Sequence, residues 1–349
     1  MISKIEDKDL LKKFNNIFER GKKDSTYKFA LARFLVDYCS EPNPKTHVTF
    51  LTIAEYFLEY FWPQVCRSNL KHNGHNETQP VIITCIKNHF RDFPYRQNYY
   101  EIKKTSDEKI KICIEELSNP KLSTFCFNHV TYALQRIGND FGKGTFFSYE
   151  EDGNIQKHLK VPPPKIVGDG IDITLDALKF FKEYNFILKK IIILEWSKFL
   201  EKHNLSTPKI IEKTEGGKIE RDAVKASKFR KSLLDAGYDS CFYNESHDLK
   251  KMPLKEIHAD HVIPFDYIRE DEIWNYVLAC QKCNCKKSSY LPPRKFIENL
   301  IKRNCEKYEK IKGLEKSVNK LGEVPDKTIK KIYENALDDG FKLFEGNFT

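Results

Sequence analysis

The residues best suited to chemistry are concentrated near the C-terminal end of the chain, within positions 258–292. Asp260 and His261 are adjacent, and Asn275 follows the histidine by fourteen residues. Asn284 comes nine residues later, directly after a C-x-x-C sequence. Carboxylate and amide oxygens are ligands that Mg²⁺ prefers, and an imidazole titrates near neutral pH, so it can take a proton from water. The set predicts metal-assisted hydrolysis with a histidine as the general base.

This pattern resembles the HNH endonucleases, whose active site is a ββα-metal fold. The resemblance rests on the D-H-x-x-P string that begins at Asp260, on the apolar residues around Asn275 and on the C-N-x-x-K-S string. It covers about residues 237–296. It implies that Asp260 and Asn284 hold Mg²⁺ or Mn²⁺. It also implies that His261 is the general base and that Asn275 orients it through a hydrogen bond.

The geometry of a β-strand constrains this arrangement. Side chains alternate between the two faces, so His258 and Asp260 share one face and His261 points to the other. The resemblance implies a local distortion that brings Asp260 and His261 together. For His258 two interpretations stay open, a packed strand histidine or a contact with the metal or a phosphate.

Cysteines around these residues indicate a structural zinc site. Many HNH domains hold zinc between two C-x-x-C knuckles, and Cys280 and Cys283 form the second of them. The first would begin at Cys241, but Asn244 stands where its second cysteine is expected. The candidate ligands are Cys241, Cys280, Cys283 and, as the fourth, either His247 or Cys285. The alternative is a domain without zinc, in which the cysteines pack as small apolar residues.

Several lysines are candidates for contact with DNA phosphates. Lys286 and Lys287 follow Asn284 directly, and Lys228 and Lys231 lie in a basic amphipathic segment at 219–236. In each case the alternative is a solvated, charged surface. Gly237 stands where this helix should end.

The periodicity of apolar residues predicts a mostly helical α+β protein: a helical N-terminal region, a small β hairpin in the middle, and the HNH domain followed by helices. The hairpin would join 146–149 to 158–161 through the turn E-E-D-G-N, one long helix would span Thr174–His203, and 204–217 would be a linker. The predicted units are an N-terminal domain for recognition or regulation (1–135), a middle region with the hairpin and long helix (136–217), the nuclease domain (218–305) and a helical extension (306–349).

Composition excludes several classes of protein. The 349 residues are 13% aromatic, which a disordered chain would not carry, and their net charge of +9 is compatible with a polyanionic partner. No apolar segment is long enough to cross a membrane, and the charged start is unlike a signal peptide. We therefore expect a cytoplasmic protein with reduced thiols. The cysteines expected to be core thiols are Cys39, Cys66, Cys85, Cys113, Cys126 and Cys305.

Three functions fit these features. The first is a type II restriction endonuclease that cuts double-stranded DNA, with a homodimer expected on the DNA. Its layout, with S-T-Y-K-F near the start and W-N before C-x-x-C-N, resembles bacterial HNH restriction and phage-defence endonucleases. The second is a phage-defence effector nuclease triggered by a partner. The third is a non-catalytic zinc-ribbon protein that binds nucleic acid, although pure binding needs no general base. RNA is an open alternative as substrate.

Overall fold

The computed structural model describes residues 2–348, except 20–25, 73–79, 91–98, 106, 119–140, 142–143, 153–164, 167, 217–221 and 307–308. The described residues form two hydrophobic cores. The first extends from Phe14 to Ile210 and the second from Leu233 to Phe348. We call the parts around them the N-terminal body (residues 2–216) and the C-terminal body (residues 222–348). The sequence predicted domain boundaries at positions 135 and 305. The first core includes residues on both sides of position 135, and the second includes residues on both sides of position 305.

The N-terminal body is mainly helical. Its helices are α1 (Ile2–Glu19), α2 (Tyr27–Cys39), α3 (Phe50–Trp62), α4 (Val81–Phe90), α5 (Tyr99–Thr105), α6 (Asp107–Ser118), α7 (Leu175–Glu183), α8 (Asn185–Glu201) and α9 (Ile210–Glu215). A π-helical turn, Pro63–Arg67, follows α3. Its strands are β1 (His47–Thr49), β2 (Phe147–Ser148), β3 (Glu151–Asp152), β4 (Lys165–Ile166) and β5 (Gly170–Ile173).

Helix α2 is the centre of this body, because nearly all its side chains are buried and it packs against α3, α7 and α8. Phe29 stacks with Phe18 and Trp196, at ring-centroid distances of 5.8 and 6.0 Å. The three-stranded sheet has the order β1-β5-β2, with antiparallel pairs. Gly170 is required there, because a Cβ would collide with the carbonyl oxygen of Val48.

Two local predictions differ from the structure. The long helix is divided at Tyr184 into α7 and α8. The predicted linker contains α9, with Lys213 and Thr214 fully buried. Tertiary packing, which local composition does not report, determines both.

The predicted hairpin lies partly outside the described residues. Its first strand contains β2, which pairs with β5, and β3 in the predicted turn pairs with β4. Its second strand, 158–161, lies outside the described residues.

The C-terminal body contains small strands and helices in an α+β arrangement, as predicted. Its elements are α10 (Ala223–Asp235), β6 (Ser240–Cys241), β7 (Asn244–Asp248), β8 (Ile257–His261), α11 (Phe265–Ile268), β9 (Tyr276–Cys280), α12 (Gln281–Lys287), α13 (Arg294–Glu306), α14 (Leu314–Asn319) and α15 (Pro325–Asp338). Gly237 has φ +84°, and its N–H donates to the carbonyl of Leu234. This confirms the prediction that the helix, now α10, ends at this glycine. None of the helices in the described ranges is both long and apolar enough to span a bilayer.

The two bodies meet at α11, directly after the D-H-x-x-P string. Arg67 forms a 2.8 Å ion pair with Asp266, and both side chains are largely buried. The buried Lys213 ammonium donates to the carbonyl of Tyr267 at 2.8 Å. The N-terminal body therefore holds a segment that is continuous with the candidate active site.

The burial of Lys213 predicts a pH dependence of stability. Burial and the nearby Arg269 guanidinium lower the pKa of Lys213 to about 7. Above that pH the unfolded chain binds one more proton than the folded chain, until the ordinary lysine pKa is reached. The free energy of unfolding should therefore rise with pH by about 1 kcal/mol per pH unit between about pH 7.5 and about pH 9.5.

Urea unfolding of the wild type and of Lys213→Met at several pH values measures this slope, because the other titrating groups cancel in the difference. Lys225→Met, at an exposed lysine of α10, serves as the control and should keep the wild-type slope. Parallel pH profiles for the wild type and Lys213→Met would contradict the prediction.

Candidate functional site

The candidate site is built on two strands and the helix that follows them. β8 and β9 are antiparallel, with Ile257 opposite Cys280 and His261 opposite Tyr276. The side chain of Cys280 caps α12 by accepting a hydrogen bond from the N–H of Cys283 at 3.4 Å. The strands and α12 form the ββα arrangement that the sequence predicts.

One face of β8 packs against α12. His258 and Asp260 are two residues apart on the strand, and their partners Asn284 and Lys287 are three apart on the helix, so the two spacings match. Asn284 Nδ2 lies 2.7 Å from His258 Nδ1, and Lys287 Nζ lies 3.1 Å from Asp260 Oδ2. Tyr243 also donates to Asp260 Oδ2, at 2.8 Å. The predicted metal ligands Asp260 and Asn284 thus belong to the same strand–helix interface.

The donor set of this face fits a hard cation. Asn284 Oδ1 is buried and accepts no hydrogen bond from the described residues. Asp260 is fully buried and contributes a carboxylate. A buried amide oxygen without a donor, on the same interface as a carboxylate, is the kind of ligand pair that Mg²⁺ or Mn²⁺ takes.

The contacts of Lys287 differ from the predicted contact with a DNA phosphate. Its side chain is fully buried, and Nζ donates to the carbonyl of His261 at 2.6 Å as well as pairing with Asp260. The third residue after Asn284 falls on the strand-facing side of α12, so its ammonium neutralises Asp260 in this conformation. Lys286, one residue earlier, is exposed, and its Nζ donates to the carbonyl of Asn347 at 3.3 Å.

The buried Asp260–Lys287 pair predicts strong energetic coupling. Lys287→Met leaves a buried carboxylate without its cation and should lower the free energy of unfolding by about 3–5 kcal/mol. Asp260→Asn removes that charge, so the double variant should be more stable than the sum of the single effects by at least about 1 kcal/mol. Urea unfolding in metal-free buffer measures the cycle, with Lys286→Met as the exposed control. Additive single effects would contradict the coupling.

His261 lies on the other face of the sheet. β8 stays regular through His261, so the distortion expected to bring it beside Asp260 does not occur. The ring is fully buried between Tyr276 and Phe265, at centroid distances of 3.9 and 5.2 Å, and Nε2 lies 3.2 Å from Asp271 Oδ1.

Asp271 is a site residue that the sequence did not single out. Burial opposes its ionisation, but hydrogen bonds from His261 and Tyr276 outweigh that effect and lower the pKa of Asp271 to about 2. It is therefore a carboxylate at neutral pH and fixes the orientation of the imidazole, as carboxylates do for functional histidines. Three acidic residues stand together at 270–272, and nothing in the sequence distinguishes Asp271 among them.

Asn275 holds the backbone instead of the histidine ring. Its Oδ1 accepts from the N–H of Ile263 at 2.9 Å, and its Nδ2 donates to the carbonyl of the same residue at 2.8 Å. The expected hydrogen bond to His261 is thus replaced by a clamp on the chain two residues later. Asn275 fixes the turn out of β8 because its amide matches both backbone groups of one residue.

A second constellation lies at the other end of this hairpin. The ligand atoms of Cys241, His247, Cys280 and Cys283 all lie within 4.8 Å of one another. Backbone N–H groups point at two of the sulfurs: Cys280 N–H at Cys241 Sγ and Cys283 N–H at Cys280 Sγ, both at 3.4 Å. Three thiols and an imidazole at this spacing can bind zinc, which prefers four tetrahedral S and N ligands.

The structure distinguishes between the two candidates for the fourth ligand. His247 Nδ1 lies 3.3 Å from Cys280 Sγ and 3.4 Å from Cys283 Sγ, whereas Cys285 is exposed. Asn244, which replaces the expected cysteine, lies 3.4 Å from His247 Nε2 and donates to the carbonyl of Phe348 at 2.8 Å. It therefore supports the histidine from outside the cluster.

The remaining predicted residues are placed as follows. Lys228 and Lys231 are exposed on α10, which packs on β8 and β9 through Phe229, 5.2 Å from the ring of Tyr276. Cys39, Cys85 and Cys113 are buried as predicted, whereas Cys305 is exposed beside Asp326, so the prediction of a core thiol is wrong for Cys305. Cys66 is half-buried, and Cys126 lies outside the described residues.

Comparison with known families agrees with this division of the chain. Residues 243–293 match the HNH endonuclease family, which supports a metal-dependent nuclease domain acting on nucleic acid. Residues 7–215 match the family described as a domain of unknown function, DUF8808. No curated protein and no solved structure matches the chain significantly. Because the second family match spans more than half of the sequence, the chain belongs to the DUF8808 family and carries an HNH endonuclease domain C-terminal to that match.

Proposed function

We propose that the protein is a metal-dependent endonuclease that hydrolyses phosphodiester bonds of double-stranded DNA, and that it acts as a type II restriction endonuclease. The observation that carries the proposal is that Asp260 and Asn284 belong to the same interface between β8 and α12. The buried Oδ1 of Asn284, which has no donor among the described residues, supports a cation ligand at that position.

In this mechanism Asp260 and Asn284 supply oxygen ligands on one face of the hairpin. When bound, Mg²⁺ stabilises the charge on the scissile phosphate and on the leaving 3′-oxygen. His261 takes the proton of the attacking water, and Asp271 stabilises the imidazolium that results. Tyr243 and Lys287 hold the Asp260 carboxylate in place.

The enclosure of His261 adds a requirement. Its ring is fully buried on the face of β8 opposite to Asp260. It can therefore act on a water at the metal only after the chain at His261 rearranges and Phe265 moves away. This observation favours a second candidate function, a phage-defence effector nuclease that a partner switches on.

The proposed partner is DNA. Exposed Lys228 and Lys231 lie beside the nuclease hairpin, on a chain of net charge +9, and lysines in such positions bind phosphates without reading sequence. We assign sequence recognition to the N-terminal body, and cleavage of both strands to a homodimer on the DNA.

The test is a cleavage assay of the full chain on a long unmodified DNA of known sequence, with Mg²⁺ or with EDTA. The matched variant is Asn284→Ala, which removes a metal ligand without leaving a buried charge. Discrete Mg²⁺-dependent fragments that the variant fails to produce support the restriction function. A metal-dependent smear, or no cutting with DNA binding retained, contradicts it; the latter favours the triggered effector. Cleavage by Asn284→Ala at the wild-type rate would contradict the proposed metal site.

A further inference from the structure

A second group of metal-binding side chains lies in the N-terminal body, far from the nuclease hairpin in sequence. Cys85 and His89 are on α4, and Cys113 and Glu116 are on α6. The ligand atoms of Cys85, His89 and Cys113 lie within 4.8 Å of one another. Glu116 Oε2 is 2.6 Å from His89 Nε2. The two cysteines were expected to be simple core thiols.

The spacing of these residues explains how they meet. Residues four apart on α4 and three apart on α6 each project from one side of their helix, and α4 packs against α6. The thiols of Cys85 and Cys113 and a ring nitrogen of His89 therefore meet between the two helices. Glu116 lies at the edge of this group, where its carboxylate contacts the ring of His89.

The burial of the four donors is graded from the core to the surface. Cys85 and Cys113 are 3% and 0% exposed, whereas the side chains of His89 and Glu116 are 21% and 34% exposed. An ion can therefore enter from the side of the histidine and the carboxylate and reach the thiols behind them. Two packed core thiols alone would not require a histidine and a glutamate beside them.

We infer that Cys85, His89, Cys113 and Glu116 form a zinc site that fastens α4 to α6. Two sulfurs, an imidazole and a carboxylate are a tetrahedral zinc donor set, and the soft thiolates disfavour Mg²⁺ and Ca²⁺. The site joins helices separated by α5, so the bound ion acts as a cross-link within the N-terminal body. The inference is independent of the proposed nuclease function.

The test is the zinc content of the full chain, measured by elemental mass spectrometry after dialysis against metal-free buffer. We expect two zinc ions per wild-type chain, one in Cys113→Ser, one in Cys283→Ser and none in the double variant. Cys39→Ser, at a buried cysteine of α2, is the matched control and should keep both ions. One ion in the wild type that Cys283→Ser alone removes, or two that persist in Cys113→Ser, would overturn the inference.

A second variant addresses misfolding. His89→Ala changes a partly exposed residue, so it should preserve the helical circular dichroism while losing the second zinc ion more readily to a chelator than the wild type does. Cobalt substitution of Cys283→Ser supplies a spectroscopic readout, since its thiolate charge-transfer band should disappear when Cys113 is also changed. If Cys85 and Cys113 instead form a disulfide, intact-mass spectrometry will show a reducible loss of two hydrogens and no second zinc, which would also overturn the inference.

Discussion

His261→Ala should reduce DNA cleavage by about 10²–10⁴-fold while DNA binding persists, since this is the usual contribution of a general base to hydrolysis. Asp271 is ionised and oriented toward Nε2, which leaves Nδ1 as the nitrogen for the water proton. His261→Asn is the companion variant, because an amide retains a donor for Asp271 but cannot act as a base. Single-turnover cleavage at saturating DNA measures the effect.

Two further variants distinguish the role of His261 from that of the opposite face of β8, where the proposed metal ligands Asp260 and Asn284 lie. His258 lies on the same strand as His261 but on the opposite face, so His258→Ala should reduce cleavage far less than His261→Ala does. Asp271→Asn should reduce the cleavage rate by a factor between those of the two histidine variants. It should also move the acidic limb of the pH–rate profile to lower pH, because the imidazolium loses the carboxylate that stabilises it. If His258→Ala abolishes cleavage and His261→Asn does not, the base has been assigned to the wrong histidine.

Cys283→Ser should release one zinc ion and lower the free energy of unfolding of the C-terminal body by about 5 kcal/mol. Structural zinc contributes about 10–16 kcal/mol in small peptides, and we expect less here because this body has an apolar core of its own. The loss follows from the position of Cys283, which is fully buried next to His247 and Cys280. Chelator-induced unfolding, followed by tryptophan fluorescence, measures it.

The matched control for this variant is Cys285→Ser, two residues further along α12. Cys285 is exposed, so its replacement should change neither zinc content nor stability. Equal zinc content in the two variants would contradict a zinc site at Cys283. Equal stability of the wild type with and without zinc would contradict the structural role of the ion.

The ββα site could be predicted from sequence because its residues are close along the chain. The strand–helix spacing brings Asp260 and Asn284 to one interface, and the C-x-x-C geometry brings Cys280 and Cys283 together. The partners that come from outside the motif could not be predicted in this way. Asp271 reaches His261 across the turn between β8 and β9, and Tyr243 reaches Asp260 from the preceding hairpin.

The N-terminal body illustrates the same limit. Apolar periodicity predicted a helical region here, and the helices observed agree with it. Thr49 caps α3 by accepting a hydrogen bond from the N–H of Thr52. The break at Tyr184 and the burial of Lys213 depend on which element packs against them. The grouping of Cys85 with Cys113 depends on how α4 meets α6, which no local signal specifies.

Helix α11 is a physical link between the two halves of the chain. One helical turn is not stable by itself, so its position depends on contacts such as those with Arg67 and Lys213 of the N-terminal body. Its first residue, Phe265, covers the ring of His261. Displacement of α11 would therefore expose that ring. A ligand that favoured an arrangement of the N-terminal body without these contacts would change the affinity of the hairpin for nucleic acid, and nucleic acid would change the affinity for that ligand by the same factor.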